Sequence, residues 1–94
     1  MQETVRYAGT AVGRVQGVGF RMFVRENANK LGLIGWVKNM PDGTVDFDVQ
    51  GEPEPVEQLF ELIRKGNYFI KVHDLQLTEL NPVLPADKKF SIKY

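Results

Sequence analysis

The chain of 94 residues contains no cysteine. That absence removes disulfide frameworks, thiolate nucleophiles and cysteine-ligated zinc or iron–sulfur sites together. Net charge is missing too, because twelve Lys plus Arg stand against twelve Asp plus Glu. Nucleic-acid binders draw on a basic surplus, so no nucleic-acid partner is expected. No run of about 18 apolar residues occurs anywhere. The stretch from Met1 to Tyr7 has no basic start leading into an apolar segment. The expectation is a cytoplasmic protein with no membrane partner. Histidine occurs once, as His73, with no second histidine and no carboxylates at ligand spacing. It is read as structural or surface, and no metal site is expected. Asp42, Asp46 and Asp48 do not form a calcium loop.

Hydrophobic residues make up 43% and charged residues 26%, close enough to globular averages to set aside disorder and fibres. No repeat, linker or low-complexity stretch divides the chain. Residues 1–94 are read as a single domain.

Thr4 to Val15, with Val5, Tyr7, Thr10, Val12 and Val15, reads as a strand whose alternation is too weak to say which face is buried. Phe20, Phe23 with Val24, Asn27 with Ala28, and Leu31 recur at helical spacing. Gly32 stands where such a helix would stop, so a first helix spans roughly Arg21 to Leu31. Leu33 to Asn39 reads as a strand, Pro41-Asp42-Gly43 as a turn, and Thr44 to Gln50 as the returning strand. Within that return, Val45, Phe47 and Val49 alternate with Asp46, Asp48 and Gln50, the pattern of one buried and one wet face.

A second helix starts with Pro55 at its first position. Glu54 and Glu57 lie near that start, Arg64 and Lys65 near the end, Gly66 lies beyond, and Val56, Leu59, Phe60 and Ile63 form the apolar face. Ile70 to Leu80 alternates with a phase slip at His73-Asp74 that marks a bulge, and Phe90 to Tyr94 is a short last strand. The loop Asn81 to Lys89, with Pro82 and Pro85, is expected to be flexible. Trp36, Phe47 and the helix aromatics are read as core or cover residues.

This order is that of an α+β, ferredoxin-like βαββαβ sandwich. Two helices pack on one face of a mainly antiparallel sheet of four to five strands. In that topology the first and second strands run in the same direction with the third between them. Their carboxyl ends share one edge of the sheet, so the segment after Val15 and Asn39 are expected to be neighbours.

Gly13-Arg14-Val15-Gln16-Gly17-Val18-Gly19-Phe20-Arg21 lies between a strand and a helix. Two close glycines let successive N–H groups turn inward at the positive end of a helix, which is how a phosphate-sized anion is cradled. Arg21 can offer its planar fork to two oxygens of the same anion. Neither a Gly-Lys-Ser/Thr loop nor a Gly-x-Gly-x-x-Gly run is present, so no nucleotide cofactor is indicated. From the residues alone, an anion loop and a bare glycine turn with no ligand both stay open.

The loop Gly13 to Arg21, followed by Gly35-Trp36-Val37-Lys38-Asn39 and Asp42-Gly43-Thr44-Val45, resembles the acylphosphatase family in both of its signature segments. The resemblance runs the length of the chain, through Gly51 to the closing Phe90-Ser91-Ile92-Lys93-Tyr94. It implies hydrolysis of the carboxyl-phosphate anhydride of acyl phosphates to a carboxylate and inorganic phosphate. No metal, no cofactor and no covalent intermediate are implied.

The same resemblance gives the residues their roles. The main chain of Gln16, Gly17, Val18, Gly19 and Phe20, together with Arg21, would bind the substrate phosphate. Arg21 and Asn39 would be catalytic, with Asn39 holding the attacking water. The family's aromatic ending suggests that the Tyr94 carboxylate steadies Arg21. The expected partners are the acyl phosphate and its phosphate product, and the chain is expected to be a monomer.

Two rivals remain at this point. One is an RNA-binding module on the same sandwich, opposed by the acidic Thr44 to Val49 strand. The other is the amino-terminal acylphosphatase-like domain of hydrogenase-maturation carbamoyltransferases, acting on carbamoyl phosphate.

Overall fold

The computed structural model describes residues 3–84 and 88–94. Its elements follow in the order β1 (Val5–Arg14), α1 (Phe20–Lys30), β2 (Ile34–Asn39), β3 (Val45–Gly51), α2 (Pro53–Lys65), β4 (Lys71–Leu80) and β5 (Phe90–Lys93). One sheet runs in the order β4-β1-β3-β2-β5. Every pairing is antiparallel except β2 with β5. The expected βαββαβ sandwich is therefore present, with β5 added beside β2. Because β3 lies antiparallel between β1 and β2, those two strands point the same way and end at the same edge.

The strand with the clearest alternation anchors the core. Val45, Phe47 and Val49 are buried, and so are Val56, Leu59, Phe60 and Ile63 from α2 and Phe20, Val24 and Ala28 from α1. On the other face, Asp48 receives two bonds from the Arg6 guanidinium, Nε to Oδ1 at 3.0 Å and Nη2 to Oδ2 at 2.7 Å. Thr10 Oγ1 donates to Asp46 Oδ1 at 2.8 Å. The hydrogen bond that Arg6 donates to Asp48, reinforced by the carboxylate's charge, raises the Arg6 pKa further against the opposing cost of burial. Trp36 lies half-buried under Lys93, whose Nζ is 4.6 Å from the ring centroid. It is a cover residue, as its position suggested.

The weak alternation of β1 has a packing cause. Gly9 sits opposite Phe47 in the register, and a Cβ at that position would lie 2.2 Å from the Phe47 ring. The core is filled there from across the sheet rather than by a side chain of β1. The expected bulge falls at His73: β1 pairs Val12 with Asp74 and then Gly13 with Val72, skipping the histidine.

Two boundaries differ from the sequence reading. Helix α2 begins at Pro53, after Glu52 in extended conformation, and Val56 N–H closes the first turn onto Glu52 O at 3.2 Å. Pro55 thus lies inside the first turn, where its missing N–H leaves no bond unmade. Helix α1 starts one residue earlier than expected, at Phe20. It ends with Leu33 N–H bonded to Ala28 O at 2.9 Å and Gly32 N–H to Asn29 O at 3.1 Å, the Schellman arrangement.

Side chains hold the last two segments in place. Asn29 exchanges two bonds with the Phe90 main chain, at 3.1 and 2.9 Å, and so docks β5 on α1. Gln50, only 7% exposed, does the same for Val83 at 2.8 and 2.9 Å. In the loop expected to be flexible, Val83 is therefore fixed by Gln50, and Asn81 O accepts from Arg6 at 3.3 Å. Residues 85–87 of that loop lie outside the described residues.

Candidate active site

Strand β1 ends at Arg14, and the chain passes through Val15 and a bend over 16–19 before α1 begins at Phe20. Gly17 and Gly19 hold φ of 73° and 78°, the left-handed region that costs other residues about 1–2 kcal/mol. A Cβ on either would meet nothing within 4 Å. The glycines are thus demanded by backbone conformation, and both face open space.

That conformation leaves the start of α1 without internal partners. Gly19 at the cap supplies no side-chain bond, and no acid lies in the first turn. The helix's first main-chain bond runs from Phe23 N–H to Gly19 O at 3.0 Å. From Gln16 to Met22, no main-chain N–H donates to a protein acceptor among the described residues. A row of free donors at a helix amino terminus suits an anion, both by hydrogen bonding and by the helix dipole.

Arg21 lies on this first turn and is half-buried. Among the described residues, the ion pair that forms is Arg6 with Asp48, so the Arg21 guanidinium is not taken by a protein carboxylate. Its neighbour is Tyr94, whose ring centroid is 5.1 Å from the guanidinium carbon, a cation–π distance. The expected support from the Tyr94 carboxylate is corrected accordingly. The contact that forms is with the aromatic ring, and among the described residues no ion pair joins Arg21 to the terminal carboxylate.

Asn39 is the last residue of β2, paired with Val45 across the hairpin. Its Oδ1 is buried and has no hydrogen-bond partner among the described residues. A buried acceptor left unmatched costs about 1–3 kcal/mol, so such an atom is explained by a ligand or a water it is meant to hold.

These pieces meet in one cleft of about 190 Å³ lined by Val15, Gly17, Gly19, Phe20, Arg21, Met22, Asn39, Ile92 and Tyr94. The shared sheet edge thus brings Asn39 to the glycine loop, as the topology required. Of the predicted residues, Gly17, Gly19, Phe20, Arg21 and Asn39 line the cleft. Val18 packs against the core. Gln16 turns its amide away, donating from Nε2 to Met40 O and Thr44 O, both at 2.8 Å. For an anion in the cleft, these two residues have only their main-chain N–H groups to offer.

The sequence reading missed Met22 and Ile92 as walls of the cleft. Met22 was detectable as an apolar residue off the helix's buried stripe, and it is 52% exposed. His73 lies on the exposed bulge of β4, away from this cleft. Among the described residues no group of three His, Asp or Glu side chains gathers to hold a metal ion. No helix among them is long and apolar enough to cross a membrane.

Comparison with known proteins agrees with the geometry. Residues 7–92 match the family model described as Acylphosphatase. The chain is 51% identical over 90 residues to an acylphosphatase of Clostridium beijerinckii, spanning 96% of this chain and 99% of that protein. The crystal structure of an acylphosphatase from Bacillus subtilis superposes with a TM-score of 0.88 at 41% identity, covering 96% of this chain and 99% of that one. A full-length HypF in a phosphate- and nucleotide-bound form gives a TM-score of 0.87 at 28% identity, with all of this chain matching 12% of the larger one. The chain belongs to the acylphosphatase family, hydrolases that act on acyl phosphates.

Proposed function

We propose that the cleft hydrolyses the carboxyl-phosphate anhydride of an acyl phosphate without a metal ion. In this reading the loop N–H groups from Gln16 to Phe20 and the Arg21 fork hold the phosphate, and Asn39 holds the attacking water. The observation that carries the proposal is that Asn39, whose buried Oδ1 has no partner among the described residues, lines the same cleft as Arg21.

The substrate phosphate would present negatively charged oxygens to the free loop donors, and Arg21 can bind two of them through parallel N–H bonds. Water donates one O–H to Asn39 Oδ1, which turns its lone pair toward phosphorus. As the new O–P bond forms, the bond from phosphorus to the acyl oxygen breaks, and its electron pair leaves as the carboxylate. The proton lost by water passes to a phosphate oxygen. A carboxylate is a stable leaving group, and the transition state of phosphoryl transfer is loose, so positioning and charge stabilisation suffice and a strong base is unnecessary.

The test compares turnover of benzoyl phosphate and the affinity of inorganic phosphate in Arg21→Gln and Asn39→Ala. Arg21→Gln is expected to lose both. Asn39→Ala is expected to keep phosphate affinity and lose turnover, a change confined to the transition state. Unchanged phosphate affinity in Arg21→Gln would overturn the grip assigned to it. Adding EDTA to the intact protein checks metal independence, with undiminished turnover expected.

The same proposal extends to organisation and setting. Residues 1–94 would act as one domain and as a monomer in the cytoplasm, with the acyl phosphate and its phosphate product as its only partners. Sedimentation at monomer mass, unaltered by phosphate, checks the oligomeric part. Turnover of carbamoyl phosphate exceeding that of benzoyl phosphate would move the substrate assignment to the carbamoyl reading.

A further inference from the structure

Two side-chain bonds join the halves of the cleft. Gln16 Nε2 has two hydrogens, and it gives one to Met40 O and one to Thr44 O, each at 2.8 Å. Both partners are carbonyl oxygens, so only the nitrogen end of the amide fits there and its orientation is fixed. Met40 follows Asn39 by one peptide bond, and Thr44 precedes Val45, the residue paired with Asn39. A single side chain from the phosphate loop therefore grips both ends of the turn, next to Asn39 and next to its partner Val45.

The turn does not need Gln16 in order to close. Met40 N–H donates to Thr44 O at 2.9 Å, and Gly43 N–H donates to Met40 O at 3.1 Å. Asp42 Oδ1 also accepts from Thr44 N–H at 3.0 Å and from Thr44 Oγ1. Both carbonyls that Gln16 reaches are already satisfied within the hairpin, and Gln16 uses their second lone pairs. The sheet joins β1 to the β3 arm of this hairpin as far as Ala11 opposite Val45, and beyond that pair the Gln16 amide ties the loop to the turn.

We propose that Gln16 is a positioning residue that sets the separation between the phosphate held by the loop and the water held by Asn39. This inference rests on the roles proposed above for Arg21 and Asn39. Gln16 touches neither substrate nor water through its side chain; it acts through the hairpin that carries Asn39. A reacting geometry displaced by 1 Å costs about 10²-fold in rate. Freeing the hairpin from the loop is therefore expected to lower turnover while leaving the grip on phosphate nearly intact.

The experiment uses Gln16→Met, which keeps the length and volume but has no donor, and Gln16→Asn, which stays polar but is one methylene too short to reach. Each is checked for folding by thermal unfolding. The readouts are kcat with benzoyl phosphate and the dissociation constant of inorganic phosphate, in the native chain and in an Asn39→Ala background. A roughly tenfold to 10²-fold loss of kcat is expected in both variants, with the phosphate dissociation constant within about threefold of the native value. In the Asn39→Ala background the added loss should vanish, because a residue acting through another has nothing left to position.

Loss of phosphate affinity in step with kcat would overturn the proposal and make Gln16 part of the grip. Full multiplication of the two losses would overturn it as well, since Gln16 would then act independently of Asn39. Turnover retained in Asn39→Ala alone would refute the role of Asn39 itself, a separate failure. If Gln16→Met does not fold, the same comparisons on Gln16→Asn decide the matter.

Discussion

Replacing Asn39 by alanine should separate stability from turnover, sparing the first and removing most of the second. Among the described residues the buried Oδ1 of Asn39 accepts no bond, while the main-chain pairing with Val45 survives the substitution. Alanine therefore breaks no hydrogen bond among the described residues and removes an acceptor with no protein partner, a gain of at most about 1–3 kcal/mol that shrinks as a water matches the oxygen. Against this stand the small packing loss of the amide and the lower strand preference of alanine, together worth up to about 1 kcal/mol. The folded chain should lie between about 1 kcal/mol less and about 2 kcal/mol more stable, and in a domain of this size each kcal/mol moves Tm by about 4–8 °C.

Removing a group that acts only on the transition state typically costs about 10²–10³ in kcat, and a loss of that size is expected here. Calorimetric melting and benzoyl phosphate turnover on the same preparation give both numbers. A stability loss beyond about 1 kcal/mol, the worth of an ordinary internal hydrogen bond, would show that the side chain holds the hairpin rather than a water. A kcat within about threefold of the native value would refute its part in turnover.

Other perturbations separate backbone demands from binding. A Cβ at Gly35 would lie 1.8 Å from Asp48 O at a φ of 138°, so Gly35→Ala should break the β2–β3 pairing and cost more than about 3 kcal/mol, seen as a collapsed urea midpoint. Gly19→Ala meets open space; it should cost only about 1–2 kcal/mol while weakening phosphate binding, measured by calorimetry. Removing the Gln50 amide with Gln50→Ala should cost about 1–3 kcal/mol and speed hydrogen exchange at Val83, whose N–H now bonds to Oε1 at 2.9 Å. Asp42 has its pKa lowered by hydrogen bonds from the Thr44 hydroxyl and N–H. Its folded form is therefore favoured above the ordinary aspartate value of about 3.9, and the gain is lost as pH falls through the lowered value. Asp42→Asn should flatten the fall of Tm in that acid window, and an unaltered slope would count against the turn bonds.

The outline of the fold was legible where a local pattern and the tertiary environment agree. Val45, Phe47 and Val49 had to face a core because their neighbours carry charge. The slip at His73-Asp74 could only be absorbed by a skipped partner, and β1 skips His73. The face of β1 was not legible, because its burial is set by the Phe47 ring lying on Gly9, a contact made across the sheet. The start of α2 was misplaced because two prolines, Pro53 and Pro55, both suit a first helical turn.

In the site, Arg21, Asn39 and the glycines were readable from type and spacing combined with strand direction. The direction of the Gln16 amide was not, since its carbonyl partners belong to a turn 24 and 28 positions away. The ring of Tyr94 against Arg21 was also hidden, because the seating of β5 depends on Asn29 reaching Phe90.

The most direct test follows the oxygen of the attacking water. The intact protein turns over benzoyl phosphate in oxygen-18-enriched water containing EDTA, and the label is located by mass spectrometry in the two products. Water held at Asn39 beside a phosphate gripped by Arg21 puts the label in inorganic phosphate and leaves benzoate unlabelled. Label in benzoate would place the attack at the carbonyl carbon and contradict the roles assigned to both residues.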